Sequence, residues 1–479
     1  METAMLIAIL SPICGAFLLP LFSRFSTKLR NFLAFFLVVF SLGASISLIK
    51  PVLAGQTIQL RYAVPFGLDL IFRADVLGVF MALASTFIGL IIVFYSLGYI
   101  HHDTHQNEYY LMVVLFLGSM VGLVYSQSLI YIYLFWEIAA ICCWRLIGFY
   151  RDPDTLLRAD KAFLMTVFGA IAMLFGFIMI YGRYHSFDLH LLRGKEVSNL
   201  AMLLIMFGIF SKSATLPFHT WLPDAGVAPS PVTALLHAAV LVKIGVFAFA
   251  RIFVGTMTYP PIWNQILPIV ISLSAIVAGG AALVETNIKR IIAYSTISQL
   301  AFIFLGLFMF KFNNSYNSLA IAGGLLFILM HGISKAGLFL CAGIIEHNVH
   351  TKDIRQMGGL MKSMPLTAIS FALCALSVMG IPPFGGFFSK YMVIAGAVKS
   401  GRPWIAGVFI FGAFLTVLYL LRLFVLVFFG EPKLPLVKEG TRTMVIAVIL
   451  LGILSLVSGF LVRFPNEFIQ VAVRQMVGY

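Results

Sequence analysis

The chain has 479 residues, of which 61% are hydrophobic and only 10% charged, with a mean hydropathy of +1.02. A soluble domain carries about 25% charged residues and has too little interior to bury so much apolar surface. The formal charge of +14 would suggest nucleic acid in a soluble protein, but here the basic residues fall in short loops between apolar runs. There they orient the chain and meet anionic headgroups, and such loops cannot build a basic groove with aromatic stacking positions.

Apolar runs of about 20 residues, the length that crosses roughly 30 Å of hydrocarbon, recur from one end of the chain to the other. They predict an all-α integral membrane protein, one transmembrane domain over 1–479, with about fourteen transmembrane helices. These run near 3–20, 32–50, 76–100, 109–126, 128–149, 162–182, 200–220, 230–251, 264–285, 289–310, 317–345, 365–398, 404–429 and 443–463. The first run, Met5 to Pro20, has no basic segment ahead of it and reads as a retained span, not a removed signal. Cys14, Cys142, Cys143, Cys341 and Cys374 lie inside apolar segments without metal-ligand spacing and read as buried small hydrophobes. Segments 51–75, 183–199 and 346–364 are polar but too short to be domains, and no Gly-rich phosphate loop occurs. Loops Arg24–Arg30, Arg151–Lys161, Lys289–Arg290, Lys352–Lys362 and Lys433–Arg442 carry more Lys and Arg than the alternate set, which places both termini outside a prokaryotic cell membrane.

Two spans are interrupted. The seventh reads Phe210-Ser211-Lys212-Ser213-Ala214-Thr215-Leu216-Pro217; the twelfth runs from Gly380-Ile381-Pro382-Pro383 to Phe388-Ser389-Lys390. Each sets Phe-Ser-Lys beside a proline break, so blocks 109–251 and 264–429 are expected to be two five-helix repeats. An odd number of spans per block makes the copies inverted, a transporter architecture. A proline frees backbone carbonyls that lipid cannot satisfy but an ion or water path can.

Glu137, Lys212, Lys243, Lys335 and Lys390 fall inside spans, with His237 and His331 beside them. A charge at the bilayer centre costs about 2.5–3.5 kcal/mol or more, and such residues mark ion pathways unless they merely pair. Pairing alone does not call for five charges on five helices. Proton hopping suits these groups, because a low dielectric penalises the charged form of amines and carboxyls and brings their two forms close in free energy. Two unit charges ~8 Å apart at an effective dielectric of 20 couple by ~2 kcal/mol, similar to the ~2.3 kcal/mol per charge of a 100 mV potential. His331 and Lys335, one turn apart, share a face and are expected to exchange a proton through a water. His237 and Lys243, six apart, must address different neighbours. Glu137 has no basic partner one turn away, and Lys212 is its expected counter-ion. Arg145 and Arg422 read as headgroup anchors, His101-His102-Asp103-Thr104-His105 as a solvated loop, and Gly279, Gly280, Gly323 and Gly324 as close-packing positions.

At these residues the chain becomes recognisable. Lys212 to Lys243, with Pro217, His219, Trp221-Leu222-Pro223-Asp224-Ala225, Ala228-Pro229 and His237-Ala238-Ala239, resembles the antiporter-like subunits of respiratory complex I. So do Ile288 to Gln299, His331 to Lys335 and Gly380 to Lys390. The same family holds multi-subunit cation/proton antiporter subunits and the large membrane subunits of membrane-bound [NiFe] hydrogenases. The resemblance implies fourteen helices with two inverted five-helix repeats. It makes Glu137 the essential glutamate, Lys212 the lysine it modulates, Lys243 and His331 the central relay and Lys390 the outlet. Glu285 and Asn287 depart from the family's usual Gln and Asp before Lys289-Arg290. The chain ends after its fourteenth span, which disfavours the complex I subunit with a long lateral helix.

Trp136-Glu137, Cys142-Cys143-Trp144 and the pairing of His237-Ala238-Ala239 with Lys243 look closest to the hydrogenase-type subunits. The expected function is therefore proton translocation in a redox-driven complex. The alternative is a subunit of a multi-subunit Na+/H+ antiporter, and the third reading is a scaffold whose buried charges only pair. No cofactor is expected in this chain. Fe–S and [NiFe] centres would belong to peripheral redox partners, beside other membrane subunits, with H+ or Na+ as the ion.

Overall fold

The computed structural model describes residues 1–65, 68–309, 311–312, 315–433 and 438–478. Residues 66–67 of the expected 51–75 segment, the last residue of the 289–310 span and residues 434–437 of the Lys433–Arg442 loop lie outside the described residues. Among the described residues twelve helices are long and apolar enough to cross a membrane: Glu2–Ser23, Thr27–Leu53, Val76–Tyr99, Gln106–Tyr125, Leu129–Ile147, Pro153–Tyr184, Ser230–Val254, Trp263–Val284, Ile288–Phe308, Ser318–Val349, Pro403–Phe428 and Arg442–Phe460. The two other expected spans, 200–220 and 365–398, are broken into shorter helices.

Local chemistry sets the ends. Asp75, Asp152, Ser198, Asn287 and Asn317 each accept a first-turn backbone N–H and cap the helix that follows. The Asp152 cap with Pro153 behind it starts that helix at 153, nine residues before the expected 162. Asn287 accepts from the N–H groups of both Lys289 and Arg290, so the departure from the family pattern there serves as a helix cap.

Three helices form the centre. Every residue in the apolar stretch of the Ser230–Val254 helix is buried, and nearly all are in Ile288–Phe308 and Ser318–Val349, whereas fewer than half are in Glu2–Ser23 and Thr27–Leu53. Two of the three carry the candidate groups, His237 and Lys243 on Ser230–Val254 and His331 and Lys335 on Ser318–Val349, so these groups lie inside the bundle and not against lipid.

The first break follows the Asn199–Lys212 helix. Residues 213–220 leave the helix through Ala214 at φ 49° and a cis Leu216–Pro217 bond before the short Trp221–Asp224 helix. The second separates Pro365–Met379 from Gly385–Lys399, with Gly380 at φ 83° and a cis Pro382–Pro383 bond. The Phe-Ser-Lys tripeptide precedes the first break but follows the second, so the shared tripeptide does not occupy equivalent places. The Ser230–Val254 helix contains two π-helical turns, Leu235–Ala239 around His237 and Ala250–Val254 around Arg251. Such wide turns commonly sit at functional places in helices.

Some elements were not read from the sequence, among them a short pairing of Lys311–Phe312 with Ser315–Tyr316. An antiparallel hairpin pairs Ile58–Tyr62 with Leu70–Ala74, Ile58 opposite Ala74. A final helix, Arg463–Val477, turns Ile469, Ala472, Val473 and Met476 inward against the Val76–Tyr99 and Ser318–Val349 helices. Cys142, Cys143, Cys341 and Cys374 are buried as expected, but Cys14 faces outward because its helix is peripheral.

Candidate functional site: a buried row of lysines and histidines

Lys212, the last residue of its half-helix, is fully buried. Its Nζ donates to the backbone carbonyl of Trp136 at 3.1 Å and lies 5.4 Å from the centre of the Trp136 ring. The expected ion pair with Glu137 does not form directly: the ammonium sits on the carbonyl one residue before it, within electrostatic reach of the carboxylate. Glu137 Oε1 is buried without a protein partner. At the break, Trp221 Nε1 donates to the Ser211 carbonyl at 2.9 Å, satisfying one of the groups freed where the helix ends.

Gly245 lets the central helix lie against this break. A Cβ there would meet the Ile209 carbonyl oxygen at 2.7 Å and Ser213 Cβ at 3.1 Å. Two residues earlier, Lys243 Nζ reaches His331 Nδ1 on the Ser318–Val349 helix at 2.6 Å. That bond joins two helices at a depth where both residues are at most 1% exposed. His331 lies within electrostatic reach of Lys335, Lys390 and His237 as well, so five of the seven candidate groups are electrostatically linked, with Lys243 alone bonded to the ring.

Lys335 faces differently from the expectation. Although one turn from His331, its Nζ donates to Ser295 Oγ at 2.6 Å and the Ile292 carbonyl at 3.1 Å on the Ile288–Phe308 helix. Ser295 Oγ also accepts from Tyr419 Oη at 2.9 Å, and Tyr419 in turn meets Thr416 Oγ1 at 3.2 Å. Sequence reasoning missed this hydroxyl chain, since Ser, Thr and Tyr in an apolar span give no signal beyond their presence. Lys390 Nζ donates to the Val378 carbonyl at 2.6 Å, at the end of the first half of the broken helix, and stands 4.8 Å from the centre of the Phe302 ring.

His237 packs against Phe339, ring centres 4.4 Å apart and planes tilted by 36°, and reaches both Lys335 and Lys243 electrostatically. Both its ring nitrogens and Nε2 of His331 are buried with no protein partner. Buried polar atoms are as a rule bonded to protein or to ordered water, so these nitrogens mark places that a water file would bridge.

At one mouth of the row an acid–base ladder closes the surface. Asp224 takes Lys161 at 2.7 Å and Arg290 at 2.5 Å, and Arg290 also pairs with Glu285 at 2.8 Å. Glu346 takes Lys289 at 2.5 Å and Lys352 at 3.0 Å. Burial pushes the Asp224 carboxyl up, but the Lys161 and Arg290 hydrogen bonds outweigh it and hold the group below the usual carboxylate range. Arg422 donates to the Glu285 carbonyl at 2.9 Å, and Arg145 pairs with Glu108. Both were expected at headgroups; in the structure both also hold protein partners, because the helix ends pack together there. No group of three metal-ligating side chains occurs among the described residues, the His101–His105 loop included. Gly279, Gly323 and Gly324 do meet neighbouring helices, but a Cβ at Gly280 would meet nothing within 4 Å.

Comparison with known proteins gives a consistent picture. The family model described as NADH:quinone oxidoreductase/Mrp antiporter, TM, matches residues 126–416, and the one described as NADH-ubiquinone oxidoreductase (complex I), chain 5 N-terminus, matches residues 62–110. The Na(+)/H(+) antiporter A1 subunit of Staphylococcus haemolyticus is 32% identical over 97% of this chain and 61% of its own length. A Na(+)/H(+) antiporter subunit of Alkalihalophilus pseudofirmus is 33% identical over 96% and 61%. The chain thus spans about 61% of the length of these curated relatives. Among solved structures, a chain of the Mrp complex from Dietzia sp. DQ12-45-1b shares the fold at a TM-score of 0.87, with 21% identity over 100% of this chain and 98% of that one. A chain of the membrane-bound sulfane sulfur reductase, an archaeal respiratory membrane complex, does so at 0.89, with 22% identity and the same coverage.

Proposed function

The chain belongs to the NADH:quinone oxidoreductase/Mrp antiporter transmembrane family, and from that premise we infer that it is an ion-translocating subunit of a multi-subunit Na+/H+ antiporter. The 2.6 Å contact between Lys243 Nζ and His331 Nδ1, inside a cluster with His237, Lys335 and Lys390, carries this reading. An imidazole between two amines is suited to relay. Lys243 gives a proton to Nδ1, and Nε2 releases one on the far side of the ring toward Lys335 or Lys390. Glu137 and Lys212 stand near the first break within electrostatic reach of one another, and in this account they form the separate charge-bearing site of the first half. The halves 109–251 and 264–429, each with one broken helix, act in this account as the two inverted repeats of an alternating pathway.

The relatives named as Na(+)/H(+) antiporter subunits reverse the order of the two readings drawn from sequence. The redox-driven, hydrogenase- or complex I-type reading takes second place; the fold match to the sulfane sulfur reductase complex favours it. It would put Fe–S and [NiFe] centres in partner subunits. Extraction in mild detergent followed by mass spectrometry of the co-purifying subunits separates the two. Small membrane subunits with no redox protein support the antiporter, and iron–sulfur partners overturn it.

A further inference from the structure

A polar cavity of about 240 Å³ lies at the end of the bundle away from the acid–base ladder. The Ser230–Val254 helix fixes that distance: its start lies beside Glu346, to which Ser230 Oγ donates at 3.2 Å, and its far end carries Arg251, about 32 Å away at ~1.5 Å per residue. Arg73, Arg193, Arg251, His190 and Asp75 line the cavity, and the final helix closes it with Gln475.

The charges do not balance. Arg251 forms a two-pronged pair with Asp75, Nη2 to Oδ1 at 2.8 Å and Nη1 to Oδ2, and neutralises it. Arg73 and Arg193 make no ion pair among the described residues; Arg193 Nη2 only donates to the Gln475 carbonyl at 3.4 Å. Two guanidinium groups are therefore in excess. Nε of Arg73 and Nε of the 6%-exposed Arg251 are buried with no protein partner. A buried guanidinium nitrogen without a partner is costly, and guanidinium geometry matches phosphate oxygens. The volume is below the roughly 300–1,000 Å³ of a pocket for a drug-sized ligand, which suits one phosphate group.

We propose that this cavity binds a phosphate-bearing anion, held chiefly by Arg73 and Arg193 with Arg251 behind them. The ligand is an anionic lipid headgroup or free inorganic phosphate, and two arms of one experiment tell them apart. The full chain, with whatever subunits accompany it, is purified from membranes containing phosphatidylglycerol, and its retained lipid is weighed by native mass spectrometry. In parallel, the protein in phosphatidylcholine nanodiscs is titrated with inorganic phosphate while its thermal midpoint is followed. The Arg73→Gln/Arg193→Gln variant leaves the Asp75–Arg251 pair in place, and Arg193→Gln alone alters an exposed loop residue whose one hydrogen bond among the described residues is the long contact to the Gln475 carbonyl. Retained phosphatidylglycerol that falls roughly fivefold per arginine removed identifies the headgroup. A phosphate-dependent rise in midpoint that the variants lose identifies the free anion. Lipid and phosphate responses that are absent, or equal in unsubstituted and variant proteins, overturn the proposal.

Discussion

Replacing Lys243 by Met separates a transport role from a structural one. Its ammonium makes one hydrogen bond, to His331 Nδ1, at a site 1% exposed. Loss of that bond leaves both ring nitrogens of His331 without a protein partner, which costs about 1–3 kcal/mol. Against this, the substitution removes an amine whose burial with a single partner costs a similar or larger amount, roughly 2–7 kcal/mol. The thermal midpoint should therefore be unchanged or raised. Transport should behave oppositely. A positioned proton-transfer group contributes about 10²–10⁴-fold, or about 2.7–5.5 kcal/mol at 1.36 kcal/mol per decade. Reconstituted vesicles carrying Lys243→Met should thus lose at least a hundredfold of their pH-exchange rate. A variant that exchanges at the normal rate but melts several degrees lower would refute the relay and favour a scaffold of paired charges.

Three further outcomes are expected. Gly245→Val brings a Cβ to 2.7 Å from the Ile209 carbonyl oxygen and should slow exchange at least tenfold by parting the central helix from the break; Gly280→Val, with nothing within 4 Å, should not, and equal effects would contradict the packing argument. Ser295→Ala removes the hydroxyl that holds Lys335 at 2.6 Å and should slow exchange several-fold without altering assembly, as read by size-exclusion chromatography. Asp224 has a native carboxyl below the ordinary range, so its contribution to stability is complete above about pH 4 and fades as pH falls through its lower native value. Asp224→Asn should flatten that part of an acid-unfolding curve and leave the neutral region parallel to the unsubstituted protein.

Much of the row was legible because a charge inside an apolar run stands out against its setting. Lys212, Lys243, Lys335 and Lys390 are buried as that contrast implied. Their partners were not legible, since they are set by packing across the sequence. Lys243 and His331 are 88 positions apart, and Asp224 meets Lys161 and Arg290 from 63 and 66 positions away. Helical spacing placed His331 and Lys335 on one face but could not say that the second would turn to Ser295. The final helix, Arg463–Val477, escaped notice because it is amphipathic and not apolar: Arg463, Glu467 and Arg474 break the hydrophobic run that marks a span. The broken helices were visible through their prolines, and the order of residues already put Lys212 ahead of its break and Lys390 after its own; the carbonyls the two ammonium groups bond, Trp136 and Val378, were not visible.

The most direct test is Na+-dependent pH exchange in sealed vesicles holding the whole complex, with no electron donor or acceptor present. An imposed pH gradient that collapses on addition of Na+, and fails to do so when Lys212→Ala replaces the unsubstituted chain, is the result expected here. A gradient indifferent to Na+ in the unsubstituted complex, yet formed when an electron donor is supplied, would contradict the antiporter account and establish a redox-driven pump.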